Sequence, residues 1–320
     1  MQTAPPTPKG FRDIQPAYAK KRREIINIIA PILEENGFIP LETPTLEFAS
    51  TLTGKYGDEE KLIYRFTDRG ERELALRYDL TVPLARFIAT NQNLLNPTFS
   101  RYQIGQVFRG ENPQHGRYRE FTQFDFDTVG SANLEEDAKV IATAIRSIKS
   151  IGLKNAIMLL NDRKNFSDTP IEVIRAIDKI HKIGEEGIKK ELLEKGLAAD
   201  DIENHLYKIN NSKPSKDLAN IINFLRKDYG LNENKDFKFD PTLARGLDYY
   251  TGAIFEMKPT QDTKDLTIGS GGRYDNLIGM FLKEKTNMPA GQLRPRSEAS
   301  RQVPAVGFSF GLDRIVDLLI

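Results

Sequence analysis

Cysteine is absent from the 320 residues, and there are only three histidines, His115, His181 and His205, far apart along the chain. A disulfide, a Cys-ligated zinc and a thiol nucleophile are therefore excluded, and a histidine-based metal site is not expected. The lack of cysteine fits a reducing compartment. No apolar run approaches the roughly 18 residues that a membrane span needs. The opening MQTAPPTPKG has none of the apolar stretch of a signal peptide, so the expectation is a soluble cytoplasmic protein with no membrane partner. Excess charge is lacking too: 46 basic against 45 acidic residues leave a formal charge of +1. That argues against a protein that clamps nucleic-acid backbone wherever it lands, while leaving room for a local RNA-binding patch. What the chain does have is length, enough for a real core and for two domains or one large domain with an insertion.

Residues 1–17 are proline-rich and read as an extended arm. Ile25, Ile29, Ile32 and Leu33 recur at helical spacing and predict a helix from Tyr18 to Asn36, with Gly37 just past its end. Pro31 should kink that helix or end it early. Phe38–Thr43 reads as a strand in which Pro40 demands an edge or a bulge. Further strands are expected at Leu62–Phe66, Leu74–Tyr78, Tyr102–Arg109 and Arg119–Val129. In the last, Phe124 and Phe126 alternate with Asp125 and Asp127. Pro83–Asn91 reads as a helix. Leu134–Ile151 is the clearest helix, with Ser131 or Asn133 to cap it, Glu135 and Glu136 in its first turn and Gly152 to close it. From about Asn165 to Asn234 the chain turns Lys- and Glu-rich and predicts short helices, such as Glu172–Ile183 and Glu185–Leu193. The sheet pattern resumes at Phe239–Phe255 and Leu266–Gly272. Thr286–Val303 reads as a loop, and an amphipathic helix follows. Helices bracketing short strands without regular βαβ alternation give an α+β fold on an antiparallel sheet flanked by helices, with a small helical insertion. The expected divisions are 1–162, 163–236 for the insertion, and 237–320.

Four segments are unusual for a purely structural chain. In Phe108–Gln123, FRGENPQHGRYREFTQ, two strand-like runs flank a turn with Pro113 and Gly116 and present Arg109, Arg117 and Arg119. Grouped guanidinium forks suit phosphate recognition, although a solvated hairpin with surface arginines would read the same. Ala244–Phe255, ARGLDYYTGAIF, sets Arg245 beside a glycine and two adjacent tyrosines. On a strand, one of Tyr249 and Tyr250 would face the core and the other a pocket, and plain strand packing is the competing reading. Ile268–Tyr274, IGSGGRY, places Gly269, Gly271 and Gly272 where backbone can approach a ligand closely. It is neither a Walker loop nor a dinucleotide fingerprint. Val306–Ile315, VGFSFGLDRI, runs from a small-residue strand into a helix carrying Arg314. That residue could hold a nucleotide phosphate or could be a surface arginine beside Asp313.

Taken together the segments resemble class II aminoacyl-tRNA synthetases, with FRGE similar to their motif 2, GFSFGLDR to motif 3 and the Gly37–Pro44 passage to motif 1, the usual dimer interface. RGLDYYTG and GSGGRYD resemble the two signature segments of histidyl-tRNA synthetases in particular. PKGFRDI and LRYDLTVPLAR (Leu76–Arg86) look like that family as well. The resemblance spans about residues 8–162 and 237–320. It implies activation of L-histidine by ATP and transfer to the acceptor end of tRNA(His) by a homodimer, with Mg²⁺ held mainly by phosphates and no protein metal site. It implies Arg109 and Arg245 on the α-phosphate and the substrate carboxylate, and Arg314 on the γ-phosphate. Glu111 would face the adenine or the hairpin backbone, and Arg117 the phosphate tail. Asp79 and Thr81 would take the ammonium with Gln123 nearby, and Asp127 and Tyr250 would read the imidazole beside Tyr249. A carboxylate facing a ring N–H suits a group with one donor and one acceptor nitrogen.

That family ordinarily continues into an α/β anticodon-binding domain of about 100 residues, and the expectation is that this chain lacks it. Three other readings compete. A histidine-sensing regulatory subunit of ATP phosphoribosyltransferase shares the resemblance but typically loses the ATP-gripping arginines, whereas Arg109, Arg245 and Arg314 all stand here. A class II synthetase for threonine would need a cysteine-containing zinc site, and RGLDYYTG argues against both threonine and proline. A generic RNA-binding module fits poorly with the near-zero net charge.

Overall fold

A computed structural model describes residues 5–95, 98–113, 116–245, 249–260, 266–282 and 302–320. After the extended arm, α1 (Pro16–Glu35) buries Ile25, Ile29, Ile32 and Leu33. It runs unbroken through Pro31, contrary to expectation. Pro31 lies on the exposed face, where water can satisfy the carbonyl left without an N–H partner, while the buried stripe holds the helix. Gly37 follows at φ +81°. The expected strand shrinks to β1 (Ile39–Pro40), which among the described residues pairs with β5 alone and forms the sheet edge, one of the two places that suit Pro40.

Next come β2 (Leu46–Phe48), the short helix α2 (Ala49–Leu52), β3 (Arg65–Thr67) and β4 (Glu73–Leu76). The strand expected from Leu62 starts only at Arg65, because Gly57–Leu62 forms a 3₁₀ turn. These strands make a separate small sheet ordered β2-β4-β3. In register, Leu46 faces Leu76 and Phe48 faces Leu74, which also faces Phe66. Directly paired residues share a face, so this sheet presents one apolar face, with Leu46 43%, Phe48 55% and Phe66 42% exposed.

The helix α3 (Thr81–Thr90) leads into β5 (Phe99–Phe108) and β6 (Glu120–Val129), then α4 (Leu134–Ser150) and β7 (Ala156–Asp162). Asn133 sits at the N-cap of α4, yet neither it nor Ser131 caps the helix through its side chain. The Ser131 hydroxyl accepts from the Asn133 amide instead. The inserted helices are α5 (Ile171–Ile177), α6 (Ile180–Glu194), interrupted at Gly184, and α7 (Ala199–Asn210). They bury Val173, Ile177, Ile188, Leu192, Ile202 and Leu206 in a cluster of their own. By contrast, α8 (Lys216–Lys227) places Leu218, Ile221 and Leu225 in the main core. The chain returns through β8 (Phe237–Phe239), β9 (Ala253–Pro259), β10 (Gly269–Arg273), β11 (Ala305–Gly311) and α9 (Leu312–Leu319).

Among the described residues the large sheet has eight strands in the order β1-β5-β6-β11-β10-β9-β7-β8, antiparallel except for the two edge pairs. Alternation decides its two faces. Phe124 and Phe126 of β6 and Phe308 and Phe310 of β11 join the core under α1, α4, α8 and α9, with Phe38 edge-on to Phe126 at 5.3 Å. The intervening polar residues face the other way and floor a cleft. The α+β expectation is therefore met. No helix among the described residues is long and apolar enough to cross a membrane.

Candidate active site

The cleft floor is a set of rows in strict register. Asp125 lies opposite Ser309, Ser309 opposite Ser270, and Ser270 opposite Glu256, four neighbouring strands contributing one polar side chain each. One row over, Arg101 of β5 faces Asp127, which faces Gly307. This pairing gives the buried ion pair Arg101–Asp127 at 2.7 Å. Gly307 has no room for a side chain, since a Cβ there would sit 1.8 Å from Asp127 Oδ1.

Two cavities share this floor. The inner one, about 360 Å³, is lined by Asp79, Thr81, Asp125, Asp127, Tyr249 and Tyr250, with Tyr56 and Tyr274. Asp79, just ahead of α3, accepts from the Val82 amide and the Tyr56 hydroxyl, both at 3.0 Å. Burial raises its carboxyl above the ordinary range. Asp127 accepts from the Tyr274 hydroxyl at 2.5 Å. Asp125 was not singled out from the sequence, although the Phe–Asp alternation placed it beside Asp127. It is 2% exposed, and its Oδ1 has no hydrogen-bond partner among the described residues. Burial above all, with Asp127 and Asp79 adding to it, pushes its carboxyl up to about 7 against the pull of Arg101 and Ser309. The same lining carries Lys55, Arg109, Arg175 and Arg245 beside these carboxylates, so the cavity offers partners to both charged ends of a zwitterion.

The outer cavity, about 370 Å³, gathers Arg109, Arg117, Arg245 and Arg314, with Lys258 and with Glu59, Glu111, Glu256 and Asp313 also in its wall. Arg314 donates to the carbonyls of Thr267 (2.8 Å) and Gly116 (3.3 Å). Burial lowers its pKa, and the crowding of Arg117, Arg245 and Arg109 lowers it further. Like charges held together in this way suit a polyanion. Arg245 pairs with the buried Glu256 and donates to the Thr267 hydroxyl at 2.9 Å. Glu111 approaches Arg117 at 3.7 Å. The insertion helices contribute Asp178, His181 and Lys182 to this wall. Burial raises the Asp178 carboxyl while Arg245 opposes it.

Arg109, Arg245, Gln123, Ser270 and Ser309 line both cavities. The Arg109 guanidinium lies 4.3 Å from the Tyr78 ring centre and donates from Nε to the Tyr78 carbonyl at 3.2 Å. Gln123 donates to Ser309 at 2.7 Å.

Three sequence expectations change. Tyr249 and Tyr250 both line the inner cavity, their rings 4.7 Å apart. They lie in the loop before β9, where strand alternation does not apply. Of the three glycines, only Gly269 reaches a cavity wall. A Cβ at Gly271 would meet the Gly307 carbonyl at 2.1 Å, and one at Gly272 would meet Tyr250 at 2.8 Å. Those two make room for a neighbouring strand and an aromatic ring. Arg119 braces its own hairpin, donating to the Glu111 carbonyl at 2.8 Å. Expectations for His115, for Gly246–Asp248 in ARGLDYYTG and for most of Thr286–Val303 lie outside the described residues.

Comparison with known proteins adds a second line. A family model described as histidyl-tRNA synthetase matches residues 10–168 and 175–315, running through the inserted helices as well. A histidine–tRNA ligase of Aeropyrum pernix is 40% identical over 343 residues, covering 98% of this chain and 74% of that protein. One from Treponema denticola is 35% identical, covering 97% and 72%. Among solved structures, histidyl-tRNA synthetase from Nostoc sp. PCC 7120 superposes with a TM-score of 0.80 at 27% identity, over 99% of this chain and 76% of that one.

Proposed function

Because the chain belongs to the histidyl-tRNA synthetase family, we propose that the inner cavity holds L-histidine, the outer cavity ATP, and that the two react where Arg109 and Arg245 line both. The enzyme is a histidine–tRNA ligase, with histidine, ATP and tRNA as its substrates. The observation carrying the site assignment is that a cavity floored by Asp79, Asp125 and Asp127 and one gathering Arg117 and Arg314 share Arg109 and Arg245 in their walls. The histidine carboxylate attacks the α-phosphorus, pyrophosphate leaves, and the terminal hydroxyl of tRNA(His) then displaces AMP from the acyl carbon. No side-chain nucleophile is required, so catalysis rests on positioning and on cations matched to the phosphoryl charge.

Asp79 and Thr81 take the ammonium, with Gln123 alongside. Asp127 and Tyr250 read the imidazole next to Tyr249. Both Asp127 oxygens already have a partner, yet a carboxylate offers about four lone-pair sites and can still accept a ring N–H. Arg314 and Arg117 take the terminal phosphates, with Glu111 near the adenine end. Mg²⁺ would be carried mainly by the phosphate oxygens of ATP. The ion, when bound, neutralises phosphate charge. The substrates imply a cytoplasmic setting.

The test is amino-acid-dependent ATP–pyrophosphate exchange with Mg²⁺. Histidine alone among the standard amino acids should support it. Histidine binding without exchange would instead favour a sensor related to the regulatory subunit of ATP phosphoribosyltransferase.

The apolar face of the small sheet fits a second copy of the chain. Leu46, Phe48 and Leu74 border a cavity of about 500 Å³ there, and exposed apolar patches of this kind mark interfaces. Phe48→Glu should convert a dimer to monomer in sedimentation experiments. A wild-type monomer, or a variant that stays dimeric, would refute this.

A further inference from the structure

The PKGFRD segment is used by none of the roles above, yet it is bound to the two elements that carry Arg117 and Arg314, the hairpin and α9. At Gly10 the chain takes φ +89°, and a Cβ would collide with Arg119 Cγ at 2.7 Å. The Gly10 carbonyl accepts the Arg119 amide at 2.8 Å, at the point where β6 leaves the hairpin. Two residues on, the Arg12 guanidinium lies 3.7 Å from the Tyr118 ring centre and 4.6 Å from that of Tyr18. Its Nη1 donates to the Tyr118 hydroxyl at 2.9 Å. Its Nη2 pairs with Asp313 Oδ1 at 2.8 Å. The other Asp313 oxygen accepts the Thr122 amide of β6 at 2.6 Å, and the Tyr18 hydroxyl donates to the Asp313 carbonyl at 2.7 Å.

Asp313 directly precedes Arg314, and Tyr118 directly follows Arg117. One guanidinium therefore ties the strand that returns from the hairpin to the first turn of α9, beside both arginines of the phosphate side. Asp313 is only 4% exposed. Without Arg12 it would be a buried carboxylate with no cationic partner among the described residues, and such a group is costly enough to move its surroundings. An arginine displaced by about 1 Å can cost a hundredfold in rate.

We propose that the segment from Lys9 to Tyr18 is a strap, and that Arg12 is a positioning residue that sets Arg117 and Arg314 for the phosphates of ATP through Tyr118 and Asp313. The inference rests on ATP occupying the outer cavity, so its test must separate the two claims. The full chain would be compared with Arg12→Ala and Arg12→Lys in two assays. One is Mg·ATP binding by calorimetry, and the other is exchange with separate titrations of ATP and histidine. Arg12→Ala should weaken Mg·ATP binding and raise the ATP KM by about tenfold or more, leaving the histidine KM within about twofold. Arg12→Lys keeps the charge on Asp313 but loses the flat fork, and should recover part of the ATP affinity. If wild type binds no Mg·ATP, the reading of the outer cavity fails and the strap fails with it. If wild type binds Mg·ATP and Arg12→Ala binds it equally while melting lower, Arg12 is only a structural pin. Equal rises in both KM values would also overturn the proposal. Should the alanine variant not fold, the lysine variant decides: ATP affinity equal to wild type overturns it.

Discussion

Arg109→Ala should lower histidine-dependent ATP–pyrophosphate exchange by about 10²–10³-fold, the usual cost of removing one donor aimed at developing charge. The side chain lies where the inner and outer cavities meet, so it can touch the attacking carboxylate and the α-phosphate together. It is also held before substrate arrives, by the Tyr78 carbonyl and by the faces of Tyr78 and Phe121, the latter ring centre 5.1 Å away. A cation fixed in advance needs no reorganisation during the reaction. Arg109→Lys should recover little, since an ammonium can neither bridge two oxygens in one plane nor stack in the same way. Arg109 makes no ion pair among the described residues, but its charge opposes the effect of burial on the Asp79 carboxyl, so the melting temperature of each variant is measured beside its activity. A loss below about tenfold in kcat/KM, with melting unchanged, would remove Arg109 from the junction.

The parts of the site legible in the sequence were those carried by the family motifs. Arg109, Arg245 and Arg314 each read equally as packing or surface residues taken singly, and it is the resemblance to the synthetase motifs that singles them out; all three line the outer cavity. Strand alternation would turn only one of Tyr249 and Tyr250 to a pocket, while the family resemblance puts both in the site; a loop carries them and both line the inner cavity. Asp125 was passed over because period-two alternation gives facing but not satisfaction. Only the register of β6 against β5 and β11 shows that Arg101 is committed to Asp127 and that an oxygen of Asp125 is left open. The strap was visible as a motif with no assigned role, since its partners, Arg119 and Asp313, lie about a hundred and three hundred residues away. In the fold, the periodic elements α1, α4, β5 and β6 were read closely. Pro31 misled because propensity carries no information about which helix face meets water. Two strands of the small sheet were read singly and the third, β2, was missed, because strand pairing is a tertiary property.

The second large effect concerns Asp125, whose replacement by Asn should separate stability from substrate binding. In the empty cavity its carboxyl sits near pH 7, against an ordinary 3.8. Between those values the folded protein holds a proton that the unfolded chain has released. Stability from this group is therefore complete below about pH 4 and is lost as pH rises through 7. Three units correspond to an upper bound of about 4 kcal/mol. Asp125→Asn removes that liability, so the ligand-free variant should melt higher than wild type at pH 8, with the gap closing towards pH 4. Binding should change in the opposite sense. The ammonium of a histidine entering beside Asp79, Asp125 and Asp127 favours ionised Asp125, and a charge-assisted hydrogen bond contributes about 1.5–3 kcal/mol. The histidine KM of the variant should rise by roughly 10–100-fold, with the ATP KM unchanged. Free histidine titrates near pH 6.5 itself, so the informative quantity is the ratio of variant to wild-type KM across pH. That ratio should be largest above pH 7, where wild type holds a carboxylate, and should shrink below it, where both side chains are neutral. A ratio independent of pH would mean that the charge of Asp125 does not meet the substrate, and lower stability of the variant at pH 8 would mean that burial is not what raises its pKa.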